Sequence, residues 1–230
     1  MPFRRLFHRR EMLVPTRAGW LVLLALGAAS SFAFVRGLYP LLAPNAPVGH
    51  GLLVVEGWAG ASAFDDAAAR FRRGGYSQIV TTGGPIEPDE PFASHGTWAE
   101  HAAIELRERG IPDASMQIVS APASARDRTF LSAVMVRDWI AARGESVASL
   151  DVISLGPHGR RSRVLYRSAF GDDVAIGIVS APSSEYDPPH WWRTSEGTKS
   201  VITEATGLAW TLCCFHPGVR GSHEERWTTD

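Results

Sequence analysis

Cysteine is nearly missing from this 230-residue chain: only Cys213 and Cys214 occur, side by side. Adjacent cysteines seldom bridge, because disulfide geometry is hard to meet between neighbours. The pair is expected to pack as small hydrophobes near the end of the last helix, and it gives no sign of a redox compartment. Lysine is scarcer still, with Lys199 alone among the 23 basic residues. The arginine bias is explained either by GC-rich codon usage or by planar, bidentate recognition of carboxylate and phosphate. No excess of one charge exists, since the formal net charge is −1. The electrostatic footprint of a nucleic-acid binder is therefore absent. The chain has no G-x-S-x-G elbow for a hydrolase serine, and no H-x-x-x-H, H-E-x-x-H or Cys/His cluster for zinc. It also has no Walker or G-x-G-x-x-G motif, no internal repeat and no low-complexity tract.

One long apolar run is present. From Gly19 to Val35 seventeen residues carry no charge, and after Arg36 the run continues from Gly37 to Ala43. That length suits a bilayer span, extended by the snorkelling reach of Arg36. Trp20 and Tyr39 stand near the ends, as interfacial aromatics do. Arg4, Arg5, Arg9, Arg10 and Arg17 precede the run, while after Arg36 the next basic residue is Arg70. This asymmetry predicts a cytoplasmic tail over residues 1–18, an uncleaved anchor over 19–43 and a domain on the far side of an inner membrane. The competing signal peptide needs a shorter core and a better small-x-small site than Ser31-Phe32-Ala33. Pro40, Pro44 and Pro47 then predict a stiff, extended stalk, placed over 44–50.

About 170 residues follow, enough for one buried core. Short β-branched runs at Gly51–Val55, Gln78–Thr82, Gln117–Ser120, Asp151–Leu155 and Ala175–Ser180 read as buried strands. Helical patterns fill Ser62–Arg73, His95–Arg109, Asp127–Arg143, Arg160–Ala169 and Ser195–Phe215. Strand and helix alternating five times predict an α/β, Rossmann-like three-layer sandwich over 51–215, with a mostly parallel five-stranded sheet. Residues 216–230 read as a loose tail.

Open parallel sheets bind ligands at the carboxyl ends of their strands, so the residues after each run matter most. Glu56 follows the first run, as a base, metal ligand, hydroxyl binder or plain loop carboxylate. Gly83 and Gly84 follow the second, where backbone N–H groups can face an anion or simply make a turn. After the third come Arg126, Asp127, Arg128 and Thr129, with Asp127 as a plausible N-cap. Two arginines at a helix N-terminus oppose its dipole, which a bound anion or a neighbouring acid offsets. After the fourth comes the densest patch, His158 with Arg160, Arg161 and Arg163. Histidine is the side chain that titrates near neutrality, so this reads as an anion seat with an acid/base. Tyr186 to Trp192 after the fifth is a lid, a sugar-stacking wall or a loop packed over the sheet end.

Taken together, LLVVEGW, FRRGGYSQIVTTGGP, Trp98-Ala99-Glu100 before Gly110-Ile111-Pro112, the Arg-Asp-Arg-Thr segment and His158-x-x-Arg161 occur in order. This set resembles the YdcF/SanA/ElyC-like envelope proteins that share domain of unknown function 218. The chain departs from that family in having Glu56 where glycine is common, and Phe64-Asp65-Asp66 where an arginine is usual. The resemblance implies a strand-end polar pocket and a role in envelope integrity, with peptidoglycan or lipid carriers involved. One soluble member implies S-adenosylmethionine as an alternative ligand. The expected reading is an envelope protein acting on an anionic, phosphate-bearing or lipid-linked substrate. In it His158 is the acid/base, Glu56 or Glu100 orients or activates a nucleophile, and Gly83, Gly84, Arg126, Arg128, Thr129 and Arg161 hold the anion. The alternatives are a non-catalytic scaffold and a Rossmann-type nucleotide binder. No cofactor is indicated.

Overall fold

A computed structural model describes residues 13–226. Of the expected cytoplasmic tail, Arg4, Arg5, Arg9 and Arg10 lie outside the described residues. The chain divides into two units, Met1–Gly37 and Leu38–Asp230.

The first unit holds most of helix α1 (Arg17–Leu42), whose 26 residues include Arg36 and Pro40. At 1.5 Å per residue it is about 39 Å long, and by length and composition it suits a membrane crossing. Leu21 to Leu24, Leu26, Phe32 and Phe34 are all exposed, as in a helix whose solvent is hydrocarbon.

The second unit is built on five strands: β1 (Gly51–Glu56), β2 (Tyr76–Gly83), β3 (Met116–Ser120), β4 (Ser149–Leu155) and β5 (Ala175–Ala181). They form one parallel sheet in the order β3-β2-β1-β4-β5. Helices α2 (Ala61–Arg73), α3 (Trp98–Glu108), α4 (Arg128–Ala142), α5 (Gly159–Phe170) and α6 (Ser195–Cys214) complete the unit. Alternation along β1 divides the core between the two faces of the sheet. Leu53 and Val55 pack with Phe64 and Ala67 of α2 and Leu106 of α3. Leu52 and Val54 pack with Phe130 and Val134 of α4 and Leu165 and Tyr166 of α5. After β3 the chain crosses back over β1 to place β4, so the direction of winding reverses between β1 and β4. Such a switch point leaves a crevice at the strand ends.

Two terminal expectations are corrected. Residues 44–50 are no free stalk. Ala46 bridges Ile178 on the open edge of β5, with N–H···O distances of 2.9 and 3.2 Å. An edge strand has unpaired backbone groups to satisfy, and this segment satisfies them. Val48 N and Gly49 N then donate to the buried Asp151 at 2.7 and 2.8 Å. The tail docks as well. Glu225, on the short helix His223–Arg226, accepts from both Nη atoms of Arg137 at 2.6 and 2.8 Å. Residues 227–230 lie outside the described residues. The cysteines also differ from expectation. Cys213 and Cys214 stand exposed on the last turn of α6, on the side turned away from the core, and are joined in a disulfide.

Candidate functional site

A cleft of about 1070 Å³ opens at the carboxyl ends of the strands, over the β1/β4 switch point. Its lining comes from the ends of β1 and β2, the loops after β1, β2 and β3, the starts of α3, α4 and α5, the turn after β4, and α6.

Glu56 ends β1 on the cleft floor, 2 % exposed. Its Oε1 accepts from Ser162 Oγ at 2.9 Å, and Ser162 Oγ lies 3.3 Å from Ser154 Oγ. Its Oε2 is buried with no hydrogen-bond partner among the described residues, and so is Oγ1 of Thr82. The two residues pair across β1 and β2, and both line the cleft. Both atoms are buried beneath the cleft floor without a hydrogen-bond partner among the described residues, where buried polar atoms nearly always find one. The nearby Tyr166 hydroxyl is unpartnered too, and burial, with the Glu56 charge beside it, pushes its pKa well up.

Gly83 and Gly84 reach the cleft wall. Gly83 has φ 152°, and a Cβ there would lie 2.6 Å from Trp98 Cβ, so glycine is required for the close approach of α3. Its carbonyl accepts from Ala121, and that of Gly84 from Trp98.

The loop after β3 brings Arg126, Asp127 and Arg128 to the rim. Asp127 occupies the N-cap position of α4 in the left-handed region, φ 50° and ψ 33°, and its side chain makes no capping bond. The expected N-cap is therefore a positional one only, since an N-cap that bonds the first-turn amides has extended backbone and this one is left-handed. Burial raises the Asp127 pKa against the lowering fields of Arg126 and Arg161. Arg128 is exposed. Thr129 is the second residue of α4 and half-buried, with Oγ1 3.3 Å from His158 Nε2.

His158 ends the 3-10 turn Gly156–His158 after β4 and is 7 % exposed. The edge of the Trp58 ring packs against it, 4.6 Å between centroids. Its Nδ1 lies 2.9 Å from Glu204 Oε1 of α6. Arg161 clamps the same carboxylate, Nε to Oε2 at 2.8 Å and Nη2 to Oε1 at 3.1 Å. Burial alone would raise the Glu204 pKa, but hydrogen bonds from His158 and Arg161, with their charges, bring it down to about 2. Glu204 is therefore an anion at neutral pH. A proton on Nδ1 is directed at this carboxylate, and in the neutral tautomer that carries it the free acceptor is Nε2, on the Thr129 side. Arg161 Nη2 also lies 2.9 Å from Nδ1, but the charged carboxylate is the stronger acceptor and takes both donors.

Of the residues singled out in the sequence, Glu56, Gly83, Gly84, Arg126, Arg128, Thr129, His158 and Arg161 all line this cleft. Glu100 does not. It is the third residue of α3, exposed, with Oε2 accepting from Thr97 N at 2.9 Å and Thr97 Oγ1 at 2.8 Å. A glutamate three residues after threonine at a helix start is a capping box, and that is its structural work. Asp65 of the divergent helix start pairs with Arg109 and is not among the cleft residues. The 186–192 loop does not line the cleft; Tyr186 and Trp191 are buried, and Tyr186 bonds Ser200. Glu204, Thr82 and Ser162 are the polar partners that local reading misses. Glu204 stands 46 residues beyond His158 in mid-helix, with no motif around it. Comparison with protein-family models gives no match, and comparison with curated proteins gives none either.

Proposed function

We propose that this chain is a membrane-anchored hydrolase or transferase of the bacterial envelope, acting on a phosphate-bearing and lipid-linked substrate in the manner implied by the YdcF/SanA/ElyC resemblance. The observation that carries it is an imidazole, His158, held by Glu204 and Arg161 in a cleft whose rim bears Arg126 and Arg128. Arginines at a rim recognise phosphate by charge and by their forked donors. A lipid-borne substrate is supported by the anchor. Leu38 and Leu42 are buried in the α/β unit, and Tyr39 packs edge-on to Tyr186 and close to Gly156, two residues before His158. The chain thus enters the unit at the same end of the sheet as the cleft. The arginines before the apolar run argue for a cytoplasmic N-terminus and a cleft outside the inner membrane.

The test is release of inorganic phosphate from a polyprenyl pyrophosphate by the full chain in detergent micelles. His158→Ala is expected to slow release by ~10²–10⁴-fold while the chain still melts cooperatively, at a lower temperature because Glu204 loses a partner. Equal turnover by that variant would remove His158 from the reaction, and no release by the unaltered chain would remove the function.

A further inference from the structure

Thr129 is more than one further anion contact, because its hydroxyl oxygen lies 3.3 Å from His158 Nε2, within reach of a base. We infer that Thr129 is a nucleophile, activated by a His158–Glu204 relay, so that the site works through a covalent phosphothreonine. This rests on the phosphate reading above and adds the chemical route.

Three contacts carry it. Thr129 Oγ1 lies 3.3 Å from His158 Nε2, His158 Nδ1 lies 2.9 Å from Glu204 Oε1, and Arg161 clamps both oxygens of Glu204. A hydroxyl, an imidazole and a carboxylate in that sequence form the nucleophile–base–orienter arrangement on which hydroxyl nucleophiles depend. The carboxylate fixes the tautomer and stabilises the imidazolium that forms. Neither glutamate singled out in the sequence holds this position. Glu56 bonds Ser162, and Glu100 caps α3. The surroundings suit developing negative charge. Thr129 is in the first turn of α4, whose leading amides receive no side-chain cap from Asp127, and Arg126 and Arg128 flank it. Asp127 is also the one non-glycine residue with positive φ among the described residues, a backbone arrangement that tends to occur where a side chain must be aimed.

The step balances without a further reactant. Thr129 Oγ bonds phosphorus as its proton passes to His158 Nε2, and the bond from phosphorus to the leaving oxygen breaks. That oxygen takes the proton from His158. Water then attacks the phosphothreonine, gives a proton to His158, and the P–Oγ bond breaks as Oγ recovers it. An alcohol in place of water yields transfer instead of hydrolysis.

A biotinylated fluorophosphonate tests the nucleophile directly, since Oγ attack expels fluoride and leaves the label on the protein. With the full chain in micelles, peptide mass spectrometry is expected to find the label on Thr129. Thr129→Ser should keep labelling and Thr129→Ala should abolish it. His158→Ala should slow it ~100-fold or more. Glu204→Gln, a change at a positioning residue, should move the pH profile of labelling, which a purely structural role would leave in place. Label on another residue, no label, or an undiminished rate in His158→Ala overturns the inference. Phosphate release lost in His158→Ala but retained in Thr129→Ala would overturn the nucleophile and leave the function standing. Label on Thr129 without phosphate release would do the reverse.

Discussion

Asp151 shows how far a single side chain can commit a region of this fold. It is fully buried and accepts from Val48 N, Gly49 N and, at 2.6 Å, Tyr76 Oη. Removing it strands three donors, so Asp151→Ala is expected to lower stability by about 3 kcal/mol, read from denaturant midpoints. The neighbouring strand is fitted to the same carboxylate. A Cβ on Gly177 would lie 1.8 Å from Asp151 Oδ1 and 2.6 Å from Val48 N. Gly177→Ala should therefore cost about 2 kcal/mol by overpacking. Glu204 makes a pH statement at this scale. Its folded pKa, about 2, is below the ordinary 4.5, so its contribution is complete above about pH 5 and is lost as pH falls toward 2. That contribution is on the order of 3 kcal/mol. Thermal melts should fall across that window, and Glu204→Gln should flatten the fall.

Elements are legible where their cause is local. β-branched runs such as Gln78–Thr82 read as strands because a short apolar run covered on both faces is written in the residues themselves, and all five lie within two residues of the observed strands. The helical pattern starts α3 three residues early, since His95 belongs to a separate 3-10 turn and Thr97 supplies the true cap. Elements whose role depends on a distant partner are not legible. Pro44 to His50 reads as extended, which it is, but its docking needs the edge of β5, far along the chain. Ala46→Pro removes the N–H that Ile178 O accepts and should loosen that strap, raising hydrogen exchange of the Ile178 amide at a cost of about 1 kcal/mol. The tail is similar. Glu225→Ala should destabilise by about 2 kcal/mol, less than for an orphaned buried charge, because Asp138 and the Ala169 carbonyl still hold Arg137.

At the scale of the whole molecule, the sheet order brings together residues that the chain keeps apart. Returning over β1 to form β4 puts Glu56 and His158 at adjoining strand ends, and α6 then lays Glu204 against the imidazole. On the proposed reading, the apolar helix sets where the molecule works. The chain is expected to stay with membranes through carbonate washing, and a phosphatase reporter fused after Asp230 should be active only outside the cytoplasm. Activity of a cytoplasmic reporter at that position would reverse the orientation argued from the arginines.

The residues alone determined the strands, the helices, their alternation and the apolar run, because each follows from hydropathy and propensity within a dozen neighbouring positions. They also marked Arg126, Thr129, His158 and Arg161, because strand ends in an open parallel sheet are where ligands bind. Only the tertiary structure decided which carboxylate serves His158. Helix packing depends on the whole core, and it gave that position to Glu204, while Glu100 caps its own helix and one oxygen of Glu56 stays buried at the cleft floor without a partner among the described residues.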